Sequence, residues 1–432
     1  MKIAVVALGK IGLPLAVQFA KKGHQVIGCD VNQKTVELIN AGLEPFPGEA
    51  HLGDYLKTVV AAGDLTATTD TKAAVAQSDV VVVVVPLFVD GDGIPDFGWM
   101  DSATQDIAEA IKPGTLVSYE TTLPVGSTRM RFGAAIEKIS GLTAGVDFHL
   151  VFSPERVLTG RVFADLRKYP KLVGGINAQS AAAGIDFYKQ VLDFDDRPDL
   201  SEPNGVWDMG SAEASEMAKL AETTYRDVNI GLANQFALFA ETANIDISKV
   251  IAASNSQPFS HIHQPGIAVG GHCIPIYPRF YLWNHPEATV VRAAREANAA
   301  MPAHAVTLLA NALGSLADKK IVVLGISYRG GVKESAFSGI FPTVAALKSA
   351  GAQVFVHDPM YSDAEIEALG FKPYVIGSAV DGLILQADHH EYRALTSASF
   401  PGVAAVVDGR RTMNPINFPG VKFRVIGAAL EL

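Results

Sequence analysis

The chain has 432 residues, 49% of them hydrophobic and 19% charged, with a formal net charge of −10. That length accommodates two or three domains with large cores, and the acidic balance, without a long basic run, argues against a nucleic-acid surface while leaving room for small anionic ligands. Two cysteines, Cys29 and Cys273, cannot form a disulfide framework, which points to a reducing compartment, the cytoplasm.

In chain order, the opening "MKIAVVALGKIGLPLA" faintly resembles a signal peptide, but Gly9, Gly12 and Pro14 interrupt its apolar run. Short β-branched runs predict strands over 2–8, 25–30, 79–85, 114–120, 148–153 and 171–175, and helix-like segments separate most of them. This alternation predicts a doubly wound parallel sheet. The longest apolar run, "DVVVVVVPLFV" from Asp79 to Val89, is far too short to span a bilayer. All valine and without alternation, it reads as a buried parallel strand, and no membrane partner is expected.

From about Gly205 the texture changes. Residues 208–245 contain no proline and carry apolar residues at helical spacing, which predicts one long helix. A helix of that length is a spine between domains, a dimer surface, or both, and a homodimer is expected through it. A shorter helical segment follows, capped by Asp246 and covering 249–253, and another helix is predicted over 289–313. At Lys320 the opening pattern returns. "KIVVLGISYRGG" echoes "KIAVVALGKIGL", and "AQVFVHDP" echoes "HQVIGCDV", with about ten extra residues in the second copy. "GLILQAD" and "AAVVDGR" supply later strands. The predicted class is α/β: two Rossmann-like doubly wound domains joined by a helical middle domain with a long central helix, with boundaries at 1–200, 201–315 and 316–432.

The first glycine turn implies a cofactor. "VVALGKIGLPLA" fits a glycine-rich phosphate turn at Gly9 and Gly12, with Ala7 in place of the first glycine. It follows a strand, opens a helix, and is followed by Asp30 at the end of strand two, the context such a motif requires. The glycines let a pyrophosphate sit on the helix N-terminus. Asp30 accepts hydrogen bonds from ribose hydroxyls and repels a 2′-phosphate, so NAD is favoured over NADP. The expected cofactor site comprises Gly9, Lys10, Ile11, Gly12 and Asp30, with Pro86 and Thr121 beyond later strands.

The stretch "PGIAVGGHCIPIYPRFYLW" sets Cys273 between Gly270 and Gly271 on one side and Pro275 and Pro278 on the other. The glycines allow close approach of another group, and the prolines fix the chain just after it. A reactive cysteine fits that setting better than a structural one. A His272–Cys273 zinc pair lacks a second ligand cluster, and no metal is expected. Cys29 reads as a small apolar residue in strand two.

Taken together, "GKIGLPLA", "TTLPVGST", "FSPERVLTG", "EMAKLAETTYRDVNI", "GGHCIP" and "GISYRG" resemble the UDP-glucose/GDP-mannose dehydrogenase family of nucleotide-sugar 6-dehydrogenases, over almost the whole chain. The branch that acts on UDP-N-acetylmannosamine or UDP-N-acetylglucosamine is the most similar. The resemblance implies oxidation of a sugar C6 alcohol to a carboxylate with two NAD per turnover. It implies Cys273 as the nucleophile that forms a thiohemiacetal and then a thioester, and Lys219 as the cation that stabilises charge on the C6 oxygen. Glu155 is implied in water activation for hydrolysis, with Thr122 holding a water near the nicotinamide. Arg156, Gly270, Gly271, Tyr328, Arg329 and Arg410 are implied around the nucleotide sugar, where arginine suits phosphate. Lys333 takes the place of an arginine that reaches towards the cofactor.

Four departures from the family pattern stand out. Thr223 replaces an asparagine one turn after Lys219, and Tyr277 replaces an aspartate four residues after Cys273. Ser256 and Phe259 stand where arginines are usual, and the "YRGGVKES" loop is about two residues short. Threonine can still hold the asparagine's water, so Thr223 stays among the expected catalytic residues. Tyrosine, with a reference pKa of about 10, cannot act as a carboxylate base. His272, beside the nucleophile, is one candidate base, and the missing arginines imply a different grip on the sugar or phosphate, with His261 and His263 nearby. Two other readings stay open: a two-electron NAD dehydrogenase acting on another alcohol or acid, and a non-catalytic sugar-nucleotide binder. NADH stoichiometry separates them, at two per sugar, one, or none.

Overall fold

The computed structural model describes residues 1–429. They form two compact units, Met1–Ala221 and a second that starts at Glu222, the division falling inside the long helix. Each unit is built on its own sheet, wholly parallel in the second and parallel but for two edge strands in the first, an α/β arrangement as the patterning predicts.

The first unit holds strands β1 (Lys2–Val6), β2 (Gln25–Cys29), β3 (Leu65–Thr68), β4 (Val80–Val83), β7 (Leu116–Tyr119), β8 (His149–Phe152), β9 (Lys171–Gly175) and β10 (Val206–Asp208), with a small hairpin of β5 (Phe88–Val89) and β6 (Pro95–Asp96). The large sheet runs β10-β9-β8-β7-β4-β1-β2-β3. It is parallel from β3 to β8; β9 pairs antiparallel to β8, and β10 parallel to β9. Strand β4 is buried along its whole length, as an all-valine run covered on both faces requires. Helix Gly12–Lys21 presents Leu13, Leu15, Val17 and Phe19 to a core that includes Ile3, Val5 and Val26. Removing a side chain such as Phe19 costs about 3–5 kcal/mol. The strand order reverses direction between β1 and β4, so the crevice beyond their carboxyl ends is where an open α/β sheet takes its ligand.

The second unit holds β11 (Lys320–Leu324), β12 (Gln353–His357), β13 (Gly382–Leu385), β14 (Ala405–Asp408) and β15 (Lys422–Val425), all parallel, in the order β12-β11-β13-β14-β15. Helix Thr289–Leu313, with bounds as predicted, packs Met301, Ala305 and Leu309 on Ile321, Val323 and Ile384 of this sheet. The long helix is Ala212–Thr242, 31 residues, and its last turns contribute Ala237 and Ala240 to the same core. Asp246 caps helix Ile247–Ser254, accepting from the Ser248 amide at 3.0 Å. Three strands of the two large sheets escaped the sequence reading, β3, β10 and β15, as did the small hairpin of β5 and β6. So did a helix, Tyr277–Asn284, in a stretch read as loop. Among the described residues no helix is long and apolar enough to cross a membrane.

Candidate active site

In the first unit the glycine turn has the geometry of a phosphate cradle. Ala7 takes a left-handed backbone, φ 76°, at about 1–2 kcal/mol, and its amide donates to the Cys29 carbonyl at 2.8 Å. A Cβ on Gly12 would lie 1.9 Å from the Ala7 carbonyl oxygen, so glycine alone lets the helix start this close to the strand, whereas a Cβ on Gly9 would meet nothing within 4 Å. The helix N-cap is Ile11, which offers no side-chain oxygen to the first amides, leaving the anion-attracting end uncapped by the chain. Asp30 is half-buried. Its Oδ2 accepts from the Leu8 amide and its Oδ1 from the Asn32 amide, both at 2.9 Å. It therefore ties the turn together while each oxygen keeps a lone pair for a ribose hydroxyl. Lys10 and Pro86 are exposed, and Thr121 Oγ1 donates to the Val85 carbonyl at 2.7 Å. These residues fit a dinucleotide. Cys29 is buried, and burial chiefly pushes its thiol up to about 12, so it is inert.

Strands β7 and β8 lie side by side and parallel, which brings "ETT" and "SPER" together at their carboxyl ends. The Glu155 amide donates to the Glu120 carbonyl at 3.2 Å, and Thr122 is buried. Glu155 is bonded from the interior of the sheet. Its Oε2 pairs with buried Lys171 at 2.9 Å, and its Oε1 accepts from the Arg156 backbone amide at 2.7 Å. Arg156 sends its guanidinium towards the Pro170 carbonyl at 3.4 Å. Beyond the threonines, Glu216 on the long helix pins the "PVGST" turn. It accepts from the Gly126 amide at 2.5 Å, the Thr128 amide at 2.8 Å and the Thr128 hydroxyl at 2.7 Å. One turn on, Lys219 is only 7% exposed, which rules out a merely solvated lysine. Thr223, the next turn, is buried as well.

In the second unit Cys273 is exposed in a loop pressed onto the second sheet. A Cβ on Gly270 would lie 2.5 Å from Tyr328 Cβ. Gly271, at φ 89°, has the Tyr328 ring 3.2 Å from where its Cβ would stand. The glycines therefore pack the loop against Tyr328, a structural need that sequence reasoning assigned to substrate approach alone. The Cys273 carbonyl accepts from the Ile276 and Tyr277 amides at 3.2 and 2.9 Å. Tyr277 thus opens a helix, with Pro278 in its first turn, and does not sit in a flexible loop. The prolines favoured that start because their fixed φ suits a first helical turn.

Three arginines hold this loop. Arg410 donates to the carbonyls of Gln386, Ala268 and Tyr328 at 3.0, 3.1 and 3.3 Å. Arg279 reaches the Pro275 carbonyl at 3.2 Å. Arg295 bridges the Ile274 carbonyl at 3.3 Å and buried Asp227 at 2.8 Å. His272 Nε2 lies 3.2 Å from Glu334 Oε2. Arg329 Nε donates to the Tyr328 hydroxyl at 3.2 Å, and Lys333 pairs with Glu365 at 2.5 Å. Of the predicted substrate residues of this unit, the structure groups Gly270, Gly271, Tyr328 and Arg410, with Arg329 beside them. The sequence reading missed Glu120, Lys171, Glu216, Asp227 and Arg295. Glu120, Glu216 and Asp227 sat inside or beside quoted motifs and Lys171 opened a predicted strand, and the signal overlooked was an ionisable residue within an apolar run. Among the described residues no cluster of His, Cys, Asp and Glu is placed to hold a metal ion.

Three successive stretches match domains of one family: the NAD binding domain of the UDP-glucose/GDP-mannose dehydrogenase family over residues 1–192, its central domain over 213–300 and its UDP binding domain over 322–415. The chain is 33% identical to the UDP-N-acetyl-D-mannosamine dehydrogenase of Pyrococcus horikoshii, over 99% of both chains. This chain belongs to the UDP-glucose/GDP-mannose dehydrogenase family. A second relative, the UDP-N-acetyl-D-mannosamine dehydrogenase of Salmonella typhimurium, is 32% identical over 91% of this chain and 94% of its own. The Pyrococcus horikoshii structure superposes with a TM-score of 0.87 at 32% identity, covering 99% of each chain. A UDP-glucose dehydrogenase from Pyrobaculum islandicum reaches 0.87 at 25% identity, covering 99% of this chain and 98% of its own. The glycine turn and Asp30 thus belong to the family's NAD binding domain, Lys219 and the Cys273 loop to its central domain, and Tyr328, Arg329, Lys333 and Arg410 to its UDP binding domain.

Proposed function

We propose that this protein is an NAD-dependent nucleotide-sugar 6-dehydrogenase that oxidises the C6 hydroxyl of a UDP-N-acetylhexosamine, UDP-N-acetylmannosamine first, to the uronic acid. The observation that carries this reading is an exposed cysteine at the family's nucleophile position, in a chain whose full-length relatives are UDP-N-acetyl-D-mannosamine dehydrogenases. UDP-glucose is the second substrate to try, since a UDP-glucose dehydrogenase shares the fold as closely; dTDP-glucose is the third.

When bound, NAD supplies the hydride acceptor for both oxidations. Loss of the hydroxyl proton and of a hydride from C6 leaves an aldehyde, with Lys219 steadying the oxygen's negative charge. The Cys273 thiolate adds to the aldehyde carbon, forming a C–S bond and a thiohemiacetal. Loss of its hydroxyl proton and of the second hydride from C6 leaves a thioester. Water, held by Thr122 and Thr223 and deprotonated by Glu155, attacks the carbonyl; the C–S bond breaks, and the carboxylate and the free thiol separate. Arg156, Tyr328, Arg329 and Arg410 hold the nucleotide sugar, and Lys333 serves the cofactor side. The reaction takes place in the cytoplasm.

The test is a panel of UDP- and dTDP-sugars with NAD, scored for NADH and for acid. Two NADH per acid are expected. One NADH per sugar would remove the thioester route, and none would leave a binding protein. Cys273→Ala should lower acid formation at least a thousandfold with the fold intact, and Cys273→Ser nearly as much, because an alkoxide forms less readily and leaves less readily than a thiolate.

The long helix is the proposed dimer surface. Tyr225, Leu232, Phe236 and Phe239 are all exposed, Phe239 by 68%. Their spacing of seven, four and three places them on one stripe, which a second copy of the same helix would cover. Phe239→Glu should turn a dimer into a monomer in sedimentation at micromolar concentration; a wild-type monomer would overturn the proposal.

A further inference from the structure

Three ionisable side chains lie packed together at the ends of β7, β8 and β9. Lys171 Nζ is 2.6 Å from Glu120 Oε2 and 2.9 Å from Glu155 Oε2. Glu120 is fully buried, Lys171 nearly so, and Glu155 alone has some access, 10% of its side chain. Tyr188 Oη donates to Glu120 Oε1 at 2.7 Å, and Ser118 Oγ lies 2.7 Å from the same phenol oxygen. The groups that face Glu120 are thus Lys171 on β9, Glu155 after β8 and Tyr188 on helix Ala178–Val191, with neutral Ser118 and Ser153 behind the phenol.

One cation serves two carboxylates. If all three were charged, one negative charge would stand uncompensated in the interior, which is strongly disfavoured. The two carboxylates are not equivalent. Burial raises the Glu155 carboxyl, but the Lys171 ammonium, the Arg156 amide and a hydrogen bond from Glu120 outweigh it and hold it below its ordinary value. Burial pushes Glu120 up to about 7, with Lys171 opposing and the Glu155 charge adding. The proton that the trio retains therefore belongs to Glu120.

We propose that Glu120 and Lys171 are positioning residues for Glu155: together they hold it as an anion, and loss of the Glu120 proton makes Glu155 the stronger base, so that thioester hydrolysis quickens as Glu120 ionises. This rests on the reading of Glu155 as the base that activates water. Neither Glu120 nor Lys171 touches substrate in this account. Their effect passes through the shared ammonium and the hydrogen bond between the two carboxyl groups.

The test uses the full-length enzyme with NAD and the sugar nucleotide that gives acid, following decay of the covalent sugar–Cys273 adduct by mass spectrometry from about pH 5.5 to 9. Wild type should show an inflection near the value of about 7 at which Glu120 titrates. Glu120→Gln should erase it, with KM for the sugar unchanged and decay above the inflection slowed about tenfold, short of the hundredfold or more expected for losing the base itself. Persistence of the same inflection in Glu120→Gln overturns the inference. Tyr188→Phe, which removes the phenol's hydrogen bond to Glu120 together with its contact to neutral Ser118, should move the inflection to higher pH; an unmoved inflection also overturns it. Infrared spectra of the substrate-free protein answer independently of catalysis. A protonated-carboxyl band that titrates near neutrality and is missing from Glu120→Gln is expected, and its absence from wild type overturns the shared-proton arrangement. Adduct decay at the wild-type rate in Glu155→Gln would instead remove the base on which the inference rests, a failure told apart by persistence of that infrared band.

Discussion

Both units pair their first strand with the next in the same register, Lys2 opposite Gln25 and Lys320 opposite Gln353. Both then place a left-handed residue after that strand, Ala7 at φ 76° and Gly325 at φ 104°. Its amide donates to the end of the neighbouring strand, at Cys29 and His357. Both set an aspartate beyond the second strand, and each aspartate accepts backbone amides from its turn: Leu8 and Asn32 for Asp30, Ile326, Ser327 and Met360 for Asp358. The two differ in what lies over the carboxylate. Asp30 is half-buried with open space above Gly9. Asp358 is sealed under the buried His389 ring, 3.1 Å away, and a Cβ on Gly330 would strike the Asp388 carbonyl at 2.3 Å. An aspartate at this position is first a brace for the turn. Only the first unit leaves it open, and there we propose that it meets the ribose of NAD; the turn of the second unit holds the Cys273 loop through Tyr328 and Arg410.

The comparison can be broken most sharply at the glycines. Gly12→Ala would place a methyl against the Ala7 carbonyl, and Gly325→Ala would place one 2.4 Å from Ala387 Cβ at a positive φ. Each should cost about 3 kcal/mol, measured by chemical denaturation. Gly9→Ala meets only open space and should change stability by less than about 0.5 kcal/mol, yet weaken NAD in a direct titration, since the proposed cofactor site puts the pyrophosphate there. If Gly325→Ala weakened NAD as much as Gly9→Ala while sparing the fold, the second turn would not be merely structural.

The aspartates give the next contrast. Asp30→Ala removes a charged acceptor worth about 1.5–3 kcal/mol, so NAD should bind at least about tenfold more weakly and the bias against NADP should relax. Asp358→Ala should leave the NAD dissociation constant unchanged and lower the unfolding midpoint. Equal use of NADP and NAD by wild type would remove Asp30 from the ribose.

This contrast also marks what could be read from the sequence. The repeat of strand, turn and aspartate was visible because buried parallel strands are written in valine and isoleucine. The strands of the two large sheets that escaped notice, "LTAT", "VWD" and "KFRV", all lie at sheet edges, where one side of the strand makes no ladder and polar residues are tolerated. The candidate residues with a motif around them, Gly12, Asp30, Glu155, Lys219 and Cys273, could be singled out from the sequence. Glu120, Lys171, Asp227 and Arg295 could not, because their meaning lies in a partner 15 or more positions away, and pairing across strands is fixed only when the sheet forms. Tyr277 was misread as loop because two prolines nearby suggested an irregular chain, whereas a proline in the first turn starts a helix.

The smallest expected effect is on acid stability, and it has opposite signs in the two units. Glu216 in the first unit is pushed up from 4.5 to about 7, chiefly by burial, in spite of the hydrogen bonds from Thr128 and Gly126. An acid whose folded value lies above its unfolded one binds its proton more tightly in the folded state. Its contribution therefore favours folding at low pH, declines as pH rises from about 4.5 to about 7, and is level beyond. Asp358 in the second unit goes the other way. Burial raises it, but the His389 hydrogen bond and the Met360 and Ile326 amides outweigh burial and hold it below 3.8. Its contribution is present above the unfolded value and is lost as pH falls through the folded one. Hydrogen exchange resolved by unit should then show the first sheet better protected at pH 5 than at pH 7.5 and the second sheet losing protection only in stronger acid. Glu216→Gln should make the first unit's decline across that window shallower, leaving the part due to Glu120, which is also raised to about 7, and leave the second unit's acid limb where it was, whereas Asp358→Asn should weaken the second limb alone. A Glu216→Gln protein whose first sheet loses as much protection between pH 5 and 7.5 as wild type does would mean that the buried carboxylate under the "PVGST" turn is ionised at all these pH values, and that the turn is held by an anion and not by a neutral acid.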